Sequence, residues 1–150
     1  MPVWWNEGLP FACTQCGKCC HARNGYAHVV LNRREQLRLA RHLGLPPREF
    51  LSRYTETDAD GHVGLRFEAG RCVLLDGSAC SVHEAKPTQC RTWPFWPELL
   101  ASRAVYEREV RSFCPGSRGG PIVPAASIRS QLLQIEAADS AAAEDARRRR

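Results

Sequence analysis

Cys13, Cys16, Cys19 and Cys20 crowd into residues 11 to 21, F-A-C-T-Q-C-G-K-C-C-H. Two overlapping C-x-x-C units let a tight turn aim successive thiolates at one centre, a spacing used by both zinc sites and iron–sulfur clusters. Cys19 and Cys20 are adjacent, and neighbours in extended backbone point to opposite sides. These two sulfurs are therefore expected to serve different metal positions, or one of them to bridge or stand spare. Four further cysteines, Cys72, Cys80, Cys90 and Cys114, follow singly. Eight thiolates are enough for two four-sulfur sites, although the arithmetic pairs none of them. Soft sulfur ligands suit zinc and iron–sulfur clusters alike. The cofactor expectation is thus an iron–sulfur cluster or zinc.

Compartment decides against a disulfide framework. The first residues, M-P-V-W-W-N-E-G-L-P, carry no basic n-region, no apolar h-region and no small-residue cleavage site. No stretch approaches the roughly 20 apolar residues of a membrane helix. A cytoplasmic chain is expected, where thiols stay reduced, with no membrane partner. Net charge is +5, from 21 Lys and Arg against 16 Asp and Glu; setting aside Arg147 to Arg150 leaves 17 against 16. A nearly neutral body with one terminal basic run argues against nucleic acid as a partner. The partners expected are a metal ion or cluster and a protein redox partner.

Other side chains flank the cysteines. His21 and His83 are candidate mixed ligands. Lys18, Arg23 and Arg91 are candidates to offset the charge of a thiolate-bound metal. Trp93, Phe95 and Trp96 are expected to wall the site from water, which tunes redox potential. Glu84 and Glu107 are acid or base candidates only if they face the metal. No G-x-S-x-G, P-loop, Rossmann fingerprint or H-E-x-x-H occurs, so no enzyme class is assigned.

The elements that must position these residues follow from pattern. At 43% hydrophobic and 25% charged, the 150 residues have the composition and size of one globular domain. Y-A-H-V-V-L, residues 26 to 31, suits a short strand. Asn32 and Glu35 form a capping-box pair for a helix from Arg33 to Leu43, stopped at Gly44. Pro46-Pro47 opens a second helix, P-R-E-F-L-S-R-Y. T-E-T-D-A-D-G, residues 55 to 61, is expected to be a loop. H-V-G-L-R-F-E and R-C-V-L-L, split by Ala69-Gly70, predict a hairpin with a turn at Asp76-Gly77-Ser78 after it. Residues 80 to 97 look irregular, E-L-L-A-S-R gives a turn or two of helix, and the alternation of V-Y-E-R-E-V-R suggests a strand. F-C-P-G-S-R-G-G-P is a loop. Ala125, Ile128, Leu132 and Ile135 mark a C-terminal helix, flanked by Leu133 and able to run on through the alanines. The fold class expected is α+β: a small, irregular single domain organised around a cysteine-ligated metal site, with short helices, a hairpin and a C-terminal helix. Residues 1–136 would form the cysteine-cluster domain and 137–150 an Ala-rich, Arg-ending extension.

Taken together, F-x-C-x-x-C-G-x-C-C in residues 11 to 20, the cysteines at 72 and 80, K-P-x-x-C-R-x-x-P-F in residues 86 to 95 and C-P-G at 114 to 116 resemble the YkgJ-like CxxCxxCC cysteine-cluster family. The resemblance spans about residues 11 to 120. It implies a small zinc- or iron-chelating domain with ligands drawn from Cys13, Cys16, Cys19, Cys20, Cys72, Cys80, Cys90 and Cys114. A similar cluster in flagellin lysine methylases hints at enzymes in the wider group, but no S-adenosylmethionine signature is found here. Lys86 and His83 depart from the arginine and aromatic that the family tends to carry.

Overall fold

The computed structural model describes residues 2–14, 29–77 and 79–149. The protein is a mixed α+β domain, and small sheets and helices share two buried apolar clusters. The first piece of strand, β1 (Leu9–Pro10), pairs antiparallel with β9 (Ile122–Val123). Next, β2 (Val30–Leu31) pairs with β4 (Val63–Leu65), which also pairs with β3 (Thr55–Thr57). Residues 55 to 57, expected as loop, are thus a strand, because β4 supplies a long-range partner that no local pattern announces. Residues 26 to 28 lie outside the described residues.

Helix α1 spans Arg33–His42 and has the expected capping box. Asn32 Oδ1 accepts from the Glu35 N–H at 2.9 Å, and Glu35 Oε1 accepts from the Asn32 N–H at 2.9 Å. Helix α2 spans Pro47–Tyr54 with its proline in the first turn. Two tandem hairpins follow. In the first, β5 (Phe67–Glu68) pairs with β6 (Arg71–Cys72) across Ala69 and Gly70, whose φ angles of 52° and 79° suit a two-residue turn of matching twist. In the second, β7 (Leu75–Asp76) pairs with β8 (Ala79–Cys80).

The stretch expected to be irregular contains a 3-10 turn at His83–Ala85 and a short helix, α3 (Thr88–Thr92). E-L-L-A-S-R contributes one α-turn, in which the Leu100 N–H donates to the Trp96 carbonyl. V-Y-E-R-E-V-R is helical, not a strand. Ser102 caps α4 (Arg103–Tyr106) by accepting from the Val105 N–H, and the helix widens into a π-turn at Glu107–Arg111. Its buried residues, Tyr106 and Val110, lie four positions apart, and buried Cys114 follows at the same interval just past its end. A helical stripe outweighs the local alternation. The chain ends with α5, Ala125–Arg149.

Each of the two clusters takes in described cysteines. The first gathers Val29, Leu31, Leu39, Phe50, Leu65, Leu74 and Val82 between α1, α2 and the small sheets. The second gathers Trp5, Leu9, Phe95, Leu100, Tyr106, Val110 and Ile128. α5 packs on α3, α1 and β2. Ile128, Ile135, Ala142 and Ala146 are its buried residues. Near its end, Asp145 Oδ2 accepts from the Arg33 N–H at 2.7 Å, satisfying a first-turn donor of α1. A Cβ on Gly61, at φ 90°, would stand 2.7 Å from the Ala146 carbonyl oxygen, so the loop and the helix touch through backbone. No helix of the described residues is long and apolar enough to cross a membrane.

Glu35 is buried, and its second oxygen accepts from the Thr88 N–H at 2.6 Å, joining the start of α3 to α1. Glu35→Ala leaves two buried N–H groups without acceptors and is expected to cost about 2–4 kcal/mol, against less than about 0.5 kcal/mol for the exposed Glu49→Ala; urea unfolding measures both. Asp139 on α5 has its carboxyl pushed above the usual range, first by partial desolvation and then by the nearby charges of Glu98 and Glu35. Its ionisation opposes folding, so this contribution is least harmful below the unfolded-state pKa and worsens as pH rises through the folded one. Asp139 is itself solvent-exposed, so screening limits the effect: Asp139→Asn should raise Tm only slightly at neutral pH, with the gain fading below about pH 4.

Candidate metal centre

The tandem hairpins repeat at eight residues and place Cys72 and Cys80 at equivalent positions. Cys72 lies opposite Phe67, and Cys80 lies opposite Leu75. The Val73 N–H donates to the Arg66 carbonyl, and the Ser81 N–H to the Leu74 carbonyl, each one residue past a cysteine. Cys72 is buried within the first cluster, and Cys80 and Cys90 pack against it. Cys90 rides on α3, whose start is fixed by Glu35 and whose side chain Gln89 accepts from the Val30 N–H at 3.2 Å. Three cysteines from two hairpins and a helix thus border one apolar cluster.

Cys114 is buried in the second cluster, directly before a 3-10 turn at Pro115–Ser117. That turn lies against the chain leading into the cysteine-dense segment. The Ala12 N–H donates to the Gly116 carbonyl at 3.0 Å, and a Cβ on Gly116 would meet the Ala12 carbonyl oxygen at 2.2 Å. Only glycine allows this approach. Cys13, itself exposed, therefore stands next to the Cys114 loop. Val29, where the described chain resumes, is in the first cluster. The flanks of residues 15–28 are held at the Cys114 loop on one side and at the Cys72, Cys80 and Cys90 cluster on the other. Cys16, Cys19, Cys20, His21, Lys18 and Arg23 lie outside the described residues.

Aromatic rings belong to or pack against the cluster that holds Cys114. Trp93 meets Trp96 edge-on at 5.0 Å and Phe113 at 6.2 Å, and Phe11 meets Phe95 at 5.9 Å. Phe95 is buried, and Trp96 Nε1 donates to the Gln89 carbonyl. Trp93, Phe95 and Trp96 thus pack in or against the apolar cluster that holds Cys114. The polar candidates face elsewhere. His83 and Glu84 are exposed on their 3-10 turn, Glu107 is exposed and paired with Arg111 at 2.9 Å, and exposed Arg91 donates to Thr88 Oγ1.

Among the described residues, the one group of three Cys, His, Asp or Glu side chains whose ligand atoms lie within 4.8 Å of one another is Asp58, Asp60 and His62. It is a surface turn in which Asp58 Oδ1 accepts from the Asp60 and His62 N–H groups, both at 2.9 Å. The described cysteines do not by themselves bring three sulfurs to that distance.

Sequence reasoning missed Tyr106. Its side chain is 1% exposed, yet its hydroxyl has no hydrogen-bond partner, and the same is true of Trp93 Nε1 and Arg111 Nε. Burial, then the neighbouring Cys114 and Glu107, push the Tyr106 phenol upward, while Arg111 opposes them. It stays protonated at neutral pH and is a donor. The four-residue spacing from Tyr106 to Val110 to Cys114 was the available signal.

The family model described as "CxxCxxCC: Putative zinc- or iron-chelating domain" matches residues 12–115. The chain belongs to this family of zinc- or iron-chelating domains. It is also 29% identical over 92 residues to an uncharacterised protein of Methanocaldococcus jannaschii, MJ0661, a match that covers 59% of this chain and 47% of that protein. The chain thus spans about half the length of this curated relative. No solved structure matches. The described residues fit a soft metal: the sulfurs of Cys72 and Cys114 are buried in apolar clusters, Cys80 and Cys90 pack against the first, and the orphaned groups at Trp93, Tyr106 and Arg111 are all hydrogen donors suited to electron-rich acceptors.

Gly116→Ala is expected to drive residues 12–13 away from the Cys114 loop, lowering stability by about 1–3 kcal/mol and reducing metal per chain. Gly119→Ala, which has open space at its Cβ, should leave metal content unchanged. Elemental analysis of both variants checks this.

Proposed function

We propose that the protein holds iron, as an iron–sulfur cluster, through thiolates drawn from Cys13, Cys16, Cys19, Cys20, Cys72, Cys80, Cys90 and Cys114, and serves electron transfer in a reducing, cytoplasmic setting. The observation that carries the reading is the Gly116–Ala12 contact. It brings the buried Cys114 loop to the head of the C-x-x-C-x-x-C-C segment, whose far flank meets the cluster that holds Cys72 and borders Cys80 and Cys90. A bound cluster would supply one-electron chemistry. The chain's own part is to desolvate and orient the sulfurs. The two hairpins present Cys72 and Cys80 in matching register, Glu35 fixes the start of the helix bearing Cys90, and the rings of Trp93, Trp96, Phe113 and Phe95 exclude water. A protein redox partner is the natural counterpart for a domain with these parts and no recognised substrate-binding motif.

The second reading is a structural zinc protein acting as an interaction module, favoured by the number of irregular segments a metal would have to pin. Anaerobic purification followed by measurement of iron, zinc and acid-labile sulfide per chain separates the two. Iron with matching sulfide and a broad visible absorption is expected. Colourless protein with stoichiometric zinc would establish the second reading, and a metal-free chain would sink both. Cys90→Ser and Cys114→Ser should each lower metal content, whereas His83→Ala should not.

A further inference from the structure

Among the described residues, three buried side-chain donors without acceptors belong to one stretch of chain, residues 93 to 111, and Tyr106 is the most deeply buried of them. A buried hydroxyl with no partner carries a desolvation cost of about 1–3 kcal/mol, and native chains rarely retain one without a reason. A phenylalanine would fill the same space beside Trp4, whose ring lies 5.4 Å away, without that cost. The neighbour to which the Tyr106 phenol responds most is Cys114, ahead of the charged Arg111 and Glu107. Both side chains lie in the same cluster, and Cys114, just past the end of the helix, donates its N–H to the carbonyl of Val110, one turn beyond Tyr106. A neutral thiol is a weak acceptor, whereas a metal-bound thiolate carries charge and accepts strongly.

We propose that the Tyr106 hydroxyl is the hydrogen-bond donor to the Cys114 sulfur in its metal-bound thiolate form, and so acts as a positioning residue of the site. The inference rests on the thiolate reading above and adds to it a residue outside the cysteine set. Unloaded, the chain bears an unsatisfied donor; loaded, that donor is satisfied. Metal affinity therefore includes the relief of a penalty built into the fold.

The test compares the full-length wild type and Tyr106→Phe, purified anaerobically with the metal each acquires. Two quantities are read: the rate of metal release to excess chelator, and the urea midpoint of the chelator-stripped chains. The expected result is release about tenfold or more faster from Tyr106→Phe, the size associated with a hydrogen bond to a charged acceptor, with a stripped midpoint equal to or above that of the wild type. Equal release rates overturn the inference, as does faster release accompanied by a lowered stripped midpoint, which would mark Tyr106 as merely structural. Should the stripped chains lack a cooperative transition, release alone decides, with Trp4→Phe as a packing control expected to release at the wild-type rate. A wild-type chain that acquires no metal overturns the proposed function itself, and with it this inference.

Discussion

The Glu35 carboxylate is the interaction on which much of the architecture depends. One oxygen closes the capping box of α1 and the other accepts from the first N–H of α3, 53 positions later in the chain. A short helix cannot hold itself in place, because five residues make too few internal bonds to offset the entropy of ordering them. α3 is therefore positioned from outside. Glu35 holds its start, Gln89 reaches to the Val30 N–H, Trp96 donates to the Gln89 carbonyl, and α5 covers it. Cys90 inherits its position from this network of polar contacts rather than from regular structure of its own.

Much of this was legible in the sequence wherever the signal was local. Asn32 and Glu35 announce the start of α1, Pro47 the start of α2, and Ala69-Gly70 the first hairpin, because each depends on a few neighbouring residues. The signal failed where the partner is distant. Thr55–Thr57 becomes a strand only because β4 lies beside it, and Leu9–Pro10 only because β9 returns more than a hundred residues later. V-Y-E-R-E-V-R shows a different failure, in which a two-residue alternation and a four-residue stripe coexist. Burial of Tyr106, Val110 and Cys114 on one side decides for the helix.

The cysteines divide along the same line. Their spacing pointed to metal binding, since C-x-x-C is a local device, and membership of the zinc- or iron-chelating family agrees with that. Spacing carried no information on which late cysteines share a neighbourhood. The fold groups Cys72, Cys80 and Cys90 at one apolar cluster and sets Cys114 in another, next to Cys13. Two neighbourhoods and eight cysteines are compatible with two sites or with one extended site.

Electrostatics gives the arrangement its logic. Gathering thiolates in an apolar region is costly unless a cation neutralises them, and even a four-thiolate metal centre retains negative charge that needs hydrogen donors nearby. The arginines next to the site suit this role poorly, since Arg91 is exposed and Arg111 spends a terminal nitrogen on Glu107. Neutral donors suit better, because they offset charge without themselves demanding solvation. Trp93 Nε1 and the Tyr106 hydroxyl are such donors, buried and unsatisfied near Cys114. A fold that was only a scaffold would gain stability by replacing them with apolar rings. Their presence in a core otherwise filled by Phe95, Val110, Ile128 and Leu100 suits the proposed thiolate site, where negative charge would need donors.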